Sequence, residues 1–201
     1  MSKLKPLAEV VSHIPDGALL ALGGNGIHRS PAAFARELVR QGKRELELIK
    51  TAGGYDVDLL CLAGAVSKVH AGYIGFETLG LAPNFRRSVE QGKVLAAEHA
   101  CYSVIAGLRA AAYGIPFQPI QGFQGSQLPK VRQFVRIANP YAQGEEEVLL
   151  IPALTPDYAI LHVHGADELG NGRIIGSQFE DVLMSRAAKR VILTAEKIVP
   201  T

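Results

Sequence analysis

The residues best suited to chemistry begin at "LALGGNGIHRSP", residues 20–31, where an apolar run stops at Gly23 and Gly24, Gly26 follows, and Pro31 closes the stretch. A strand that ends in glycines ahead of a helix sets unpaired amides at the carboxyl edge of a sheet, where the helix dipole is positive. Such a place suits an anion. Two phosphate loops are excluded by residue type. A P-loop needs Lys-Ser or Lys-Thr after its glycines, and His28-Arg29-Ser30 supplies neither. A dinucleotide fingerprint needs G-x-G-x-x-G, and Gly24-Asn25-Gly26-Ile27-His28 runs into Arg29. The plain alternative is a tight strand-to-helix turn with no ligand, and this stretch alone leaves both readings open.

Fewer groups elsewhere invite a chemical reading. Glu98 follows an apolar strand and opens a helix, so its plain role is a favourable charge on that helix N-terminus. Partly desolvated, it could instead serve as a base, with His99 beside it to tune it. His162 and His164 share one side of a strand, with Asp167 and Glu168 close behind, but two ligands at such spacing make a poor metal site. No metal is expected. Asp167 and Asn171 are turn-forming types, and Glu145-Glu146-Glu147 reads as a solvated loop edge. His13, His28 and His70 show no partner in the sequence. Cys61 and Cys101 form neither a CxxC nor a disulfide framework, which fits free thiols in a reducing compartment.

The elements that must position these groups alternate between helical and extended patterns. Leu4 to Ile14 carries an amphipathic helical stripe, closed by Pro15-Asp16-Gly17, and Ala18 to Leu22 reads as a central strand buried on both faces. Ser30-Pro31 offers an N-cap and a first helical residue for the stripe Phe34, Ala35, Leu38 and Val39, ended by Gly42. Glu45–Ile49 predicts a strand broken at Gly53-Gly54, Val57–Ala63 a helix, and Val66–Tyr73 another strand. Asn84–Gln91 predicts a short helix capped by Asn84, Val94–Ala97 a strand, and about Glu98 to Tyr113 a long helix. From Ile115 to Gly144 prolines, glycines and glutamines predict an extended excursion over the surface. Val148–Ile151, Tyr158–Val163 and Val191–Ala195 read as strands, and Ser177–Ala188 as a helix. The alternation predicts an α/β fold, an open and mostly parallel sheet flanked by helices, as one domain over residues 1–201. Ending a few residues past a core strand is abrupt, so the natural chain is expected to continue.

Composition narrows the class further. The 201 residues are 48% hydrophobic and 20% charged, with a formal net charge of +2, an ordinary globular profile. No basic tract favours nucleic acid, and no uncharged run is long enough to span a bilayer. With no apolar leader at MSKLKPLAEV, a cytoplasmic location is expected.

The chain resembles the A subunit of class I CoA-transferases, especially the glutaconate branch, over about residues 16–199. DGALLALGGNGIHRSP is similar to the family's glycine-rich signature, with Asn25 where an aromatic is usual and Arg29 where other branches carry glycine. Gly72-Tyr73-Ile74-Gly75-Phe76-Glu77 and Gly80-Leu81-Ala82-Pro83-Asn84-Phe85-Arg86-Arg87 are similar to the segment that approaches the acyl site. Glu98 with Gly107 to Phe117 resembles the central helix and its exit, and Gly125-Ser126 a Gly-Thr loop. Ala166 to Asn171, Ala187-Ala188-Lys189 and Glu196 to Val199 resemble the last motif.

The resemblance implies CoA transfer between carboxylic acids through a glutamyl thioester, with the nucleophilic glutamate on a B subunit. It implies a heterodimer or heterotetramer, acyl-CoA and carboxylate as small-molecule substrates, and no permanently bound cofactor. Gly23, Gly24, Asn25, Gly26 and Arg29 are then expected to line the acyl or CoA end of a shared cleft, where amides stabilise developing charge. Phe76, Glu77, Asn84, Gly125 and Ser126 are expected to line its substrate part. Cys101 falls where relatives carry an oxyanion-type Gln or Asn, and a thiol is a poor donor. Glu98 matches a glutamate of ring-cleaving hydrolases of the same fold, which use an A-subunit carboxylate as base. A hydrolase subunit is therefore the alternative reading. A non-catalytic module for acyl-CoA or sugar phosphates is a further one.

Overall fold

The structure is a computed structural model that describes residues 2–123 and 125–201. Its first half alternates strictly: α1 (Leu7–Ser12), β1 (Leu19–Leu22), α2 (Ala32–Arg40), β2 (Leu46–Gly53), α3 (Tyr55–Leu62) and β3 (Val66–Ile74). A 3-10 turn at Glu77–Leu79 leads to α4 (Pro83–Glu90), β4 (Leu95–Glu98) and α5 (Cys101–Ala112). Then come β5 (Phe117–Ile120), α6 (Leu128–Val131), β6 (Val135–Ala138) and β7 (Glu147–Pro152). The chain closes with β8 (Tyr158–Ala166), β9 (Gly172–Arg173), α7 (Asp181–Ala187) and β10 (Arg190–Ile198).

The main sheet runs β10-β8-β1-β2-β3-β4, every neighbouring pair parallel, with β9 antiparallel to β8. Its register follows the apolar period of two. Leu20 and Leu22, with Leu48 and Ile160, face α2 and α3 through Phe34, Leu38, Val57 and Leu60. Ala21, Ile49, Ala159 and Leu161 face α5 and α7 through Val104, Leu108, Met184 and Ala187. Each such fully buried large side chain is worth roughly 1.5–3 kcal/mol of transfer free energy. Both faces are covered, as a mostly parallel sheet of this kind requires. Among the described residues no helix is long and apolar enough to cross a membrane.

Strand order reverses at β1, whose neighbours are β2 and the much later β8. In open α/β sheets the crevice outside the carboxyl ends of such strands is where ligands bind. The glycine-rich stretch lies there.

Four details differ from expectation. The excursion at 115–144 contributes β5 and β6, which pair antiparallel with β7 in a second, three-stranded sheet. That sheet packs Ile120, Phe134, Leu149 and Ile151 against Ala106 of α5, so β7 belongs to it and not to the main sheet. α5 begins at Cys101 because Glu98 is still paired with Ala71 of β3 and His99 N donates to Ala71 O, which removes Glu98 from the helix N-terminus. Ser30 does not cap α2: Pro31 takes that position, and Ser30 Oγ turns back to donate to Gly26 O at 3.1 Å. Nor does Asn84 cap α4. Pro83 already starts it, and the capping carboxylate is Asp58 of α3, which accepts from Asn84 N at 2.8 Å and Phe85 N at 2.9 Å.

Candidate active site

The glycine-rich loop is occupied by the chain's own carboxylate. Gly24 N donates to Asp181 Oδ1 at 2.7 Å, across 157 residues of sequence. Arg29 Nη1 meets the other oxygen, Asp181 Oδ2, at 2.5 Å and also donates to His162 O at 3.1 Å, while Nη2 donates to Ser177 O at 2.8 Å. The two side chains are 10% and 1% exposed. The remaining loop amides are satisfied too: Gly23 N on Ile160 O, Asn25 N on His28 O and Gly26 N on Ala52 O. The complete accounting that buried backbone demands is met inside the chain. The amides of residues 23–26 and the Arg29 guanidinium are therefore not free for a phosphate here. Gly24 N and Arg29, through Asp181, hold the N-terminus of α7 against the end of β1.

The bare backbone has three separate causes. A Cβ on Gly23 would stand 2.8 Å from Leu161 Cδ2 and 3.0 Å from Asp181 Oδ1. Gly24, at φ +71°, turns so tightly that a Cβ would collide with His28 O. Gly26, at φ +56°, lies beneath the Glu77 carboxylate, and a Cβ there would strike Glu77 Oε1. Only a residue without Cβ adopts such angles without strain.

Beneath the loop sits an ion pair that is fully buried on both sides. Lys50 Nζ, from the middle of β2, lies 2.5 Å from Asp56 Oδ2 at the start of α3 and donates to Gly23 O at 2.9 Å. Asp56 Oδ1 in turn accepts from Val57 N at 3.0 Å. A buried charge persists only when paired and hydrogen-bonded, and this pair ties loop, strand and helix together.

In front of the loop, at the carboxyl end of β2, four polar side chains converge. Asn25 Nδ2 donates to Thr51 Oγ1 at 3.3 Å, and Thr51 Oγ1 donates to Glu180 Oε2 at 2.8 Å. Cys101 Sγ donates to the Thr51 carbonyl at 3.4 Å. Partial burial, and then the Glu180 charge, push the Cys101 thiol above its ordinary value, which favours its protonated form at neutral pH. Cys101 also packs over Gly72 of β3, where a Cβ would stand 2.8 Å from its sulfur.

The other expected site residues divide. Gly75 N donates to Gly53 O at 2.9 Å, Phe76 after it is half-buried, and the Glu77 carboxylate lies over Gly26 of the loop. Glu77 is a non-glycine residue at φ +55°. That conformation costs on the order of 1–3 kcal/mol and recurs at functional sites. Glu98 is exposed at the end of the edge strand β4. At the usual strand spacing that is roughly 14 Å from β1. Cys101, not Glu98, is the residue of that region that reaches β2. His99 does not serve Glu98, because its ring engages His70 at 3.4 Å and Ser103 Oγ at 2.9 Å. Asn84 gives its amide to Asp58 Oδ2 at 2.7 Å as part of the α4 cap. No hydrogen bond among the described residues joins Gly125-Ser126 to the loop. Ser126 N and Oγ both donate to Phe123 O. His162 bonds Thr194 Oγ1 and His164 Nδ1 accepts from Ile175 N. Among the described residues no group of three or more His, Cys, Asp or Glu could hold a metal. A cavity of about 710 Å³ on the small sheet, lined by Ile120, Arg136, Glu147 and Leu149, holds none of these groups.

Thr51, Glu180, Asp181, Lys50 and Asp56 escaped sequence reasoning. One signal was available: a lysine inside an otherwise apolar central strand, with an aspartate six residues on, requires a buried partner. The reach of Glu180 and Asp181 to the loop had none.

Fold and site together place hydrogen-bonding side chains at the carboxyl edge of a mostly parallel α/β sheet. The coenzyme A transferase family profile matches residues 5–201, and the chain belongs to that family. It is 42% identical over 196 residues to an uncharacterized protein of Archaeoglobus fulgidus, covering 96% of this chain and 43% of that one. It is 34% identical to the A subunit of 3-oxoadipate CoA-transferase from Pseudomonas knackmussii, covering 99% and 71%. A cholesterol ring-cleaving hydrolase IpdA subunit of Mycobacterium tuberculosis is 32% identical, with 99% and 70% covered. Among solved structures, glutaconate coenzyme A-transferase of Acidaminococcus fermentans superposes with a TM-score of 0.92 at 32% identity, covering 99% and 68%. A variant of the decarboxylase AibA/AibB superposes at 0.91 and 34%, covering 100% and 78%. The chain thus spans less than half of the first of these relatives and about two thirds or more of the others.

Proposed function

We propose that this chain is the A subunit of a heteromeric CoA-transferase, which moves CoA between carboxylic acids only together with a B subunit. The supporting observation is the make-up of the site: the Asn25, Thr51 and Glu180 side chains form a hydrogen-bonded set at the carboxyl edge of β2, beside a Cys101 thiol pushed above its ordinary value. In this reading the B subunit's glutamate attacks the acyl-CoA thioester, and the resulting anhydride is opened by the CoA thiolate to leave a glutamyl thioester. The incoming carboxylate reverses these steps. This chain contributes hydrogen-bonding side chains that orient the substrate. The CoA thioester is substrate and not a resident cofactor, and the complex works in the cytoplasm, where both thiols stay reduced.

Exposed apolar residues beside the cleft support a partner there: Leu79 is 81% exposed and Leu81 60%. The long helix α5 gives no such support. Val104, Ala106, Leu108 and Ala110 are buried within the chain itself.

The hydrolase alternative is kept because Glu98 stands exposed at the same sheet edge and three relatives are named hydrolase subunits. Glu98→Gln, made in the complex in parallel with substitution of the B subunit's nucleophilic glutamate, separates the two. The transferase reading predicts that E98Q changes turnover less than about threefold while the B-subunit substitution abolishes it. Removal of a general base would instead cost 10²–10⁴-fold. A collapse with E98Q and none with the B-subunit substitution would establish the hydrolase.

A further inference from the structure

Thr51 is buried and has one hydroxyl proton. Its Oγ1 lies 2.8 Å from Glu180 Oε2 and 3.3 Å from Asn25 Nδ2. A carboxylate only accepts, so the Thr51 proton goes to Glu180 and the Thr51 lone pair must accept from Asn25. This fixes which end of the Asn25 amide faces inward. The NH₂ points at Thr51 and one of its protons is used, while among the described residues no partner takes the second proton or the carbonyl oxygen. Asn25 is half-buried beside Gly26, on which the Glu77 carboxylate rests. The chain Glu180–Thr51–Asn25 crosses from the start of α7 through β2 to the loop and ends on the one side chain of residues 23–26.

We propose that Glu180 is a positioning residue that acts through Thr51 to hold the Asn25 amide, and that Asn25 hydrogen-bonds an oxygen on the acyl chain of the substrate. The proposal rests on the transferase reading for its substrate. The arrangement favours acyl groups with a carboxylate or keto oxygen beyond the thioester carbon over plain alkyl chains. An apolar chain would leave the remaining Asn25 groups desolvated and unpaired, and sites built to hydrogen-bond discriminate in that way. Because the amide is held from behind, its orientation is set before the substrate arrives, which is what makes a weak neutral donor selective.

The test uses the complex of this chain with its B subunit, with acetyl-CoA as donor and glutaconate or butyrate as acceptor. Thr51→Val removes both links at almost constant shape, Glu180→Ala removes the anchor, and Thr51→Ser restores the hydroxyl. The expected result is a KM for glutaconate raised about tenfold in T51V and E180A, with kcat and the KM for butyrate changed less than about threefold, and recovery in T51S. Asn25→Ala should give the same shift, and the T51V/N25A pair should be no worse than N25A alone, because one acts through the other. Additive losses, or equal losses on butyrate, would overturn the proposal. Crystal structures of the T51V and E180A complexes supply a readout independent of turnover. A rotated or disordered Asn25 amide supports the positioning role, and an unmoved amide overturns it. Should the wild-type complex transfer no CoA to any acid while the amide still rotates, the transferase reading fails and the positioning role stands.

Discussion

At the scale of residues, Asp181 is the group on which the site depends most. It satisfies Gly24 N, neutralises a nearly buried arginine and holds α7 in place. Asp181→Ala leaves Arg29 with uncompensated charge and an amide without acceptor. Breaking a buried pair from one side costs about 3–5 kcal/mol, and urea unfolding of the variant should show a loss of that size. Asp181→Asn keeps an acceptor for Gly24 and should lose less. Equal stability of D181A and wild type would mean that the loop does not need its internal anion. The sequence made the glycines and Arg29 legible as a unit that suits close approach and an anion, while leaving a plain tight turn open. It did not show that the partner is internal, because nothing local marks an aspartate 157 residues away.

Among the elements, the meeting of β3, β4 and α5 carries a pH-sensitive contact. Burial above all, together with the charges of Lys68 and Arg132, lowers His99 to about 3 and His70 to about 4. The Glu47 carboxylate, 3.5 Å from His70 Nε2, offsets part of this for His70. An unfolded histidine titrates near 6.5. Below that value the unfolded chain binds protons that the folded chain refuses. The contribution is therefore complete above about pH 6.5 and is lost as the pH falls toward 4, at no more than about 1.4 kcal/mol per pH unit for each ring. Urea midpoints measured at about pH 7.5 and 5.0 should drop for the wild type and drop less for the His70→Asn/His99→Gln variant. An equal drop in both would assign the acid sensitivity to other groups. Neither histidine revealed its partner in sequence, since the pairing depends on adjacent parallel strands. The α4 cap shows the same limit: Asn84 had the right residue type, but Asp58 reached the amides from a neighbouring helix. Strand identities fared better, because apolar runs flanked by glycines depend on local pattern alone.

For the molecule as a whole, the main sheet follows the alternation of its apolar segments, whereas the second sheet was hidden in a proline- and glycine-rich stretch whose pairing is antiparallel and non-local. The glycine loop, Glu77, Thr51, Glu180 and Cys101 gather at the carboxyl edge of that main sheet. The proposed function makes a definite prediction: the covalent intermediate forms on the B subunit. The direct test incubates this chain and its B subunit, first separately and then together, with acetyl-CoA and a carboxylate acceptor, then maps any CoA thioester on protein by mass spectrometry. CoA transfer by the pair alone, with the adduct on a glutamate of the B subunit and none on this chain, is the predicted result. Full turnover by this chain without its partner, or an adduct on its own Glu77 or Glu98, would contradict it.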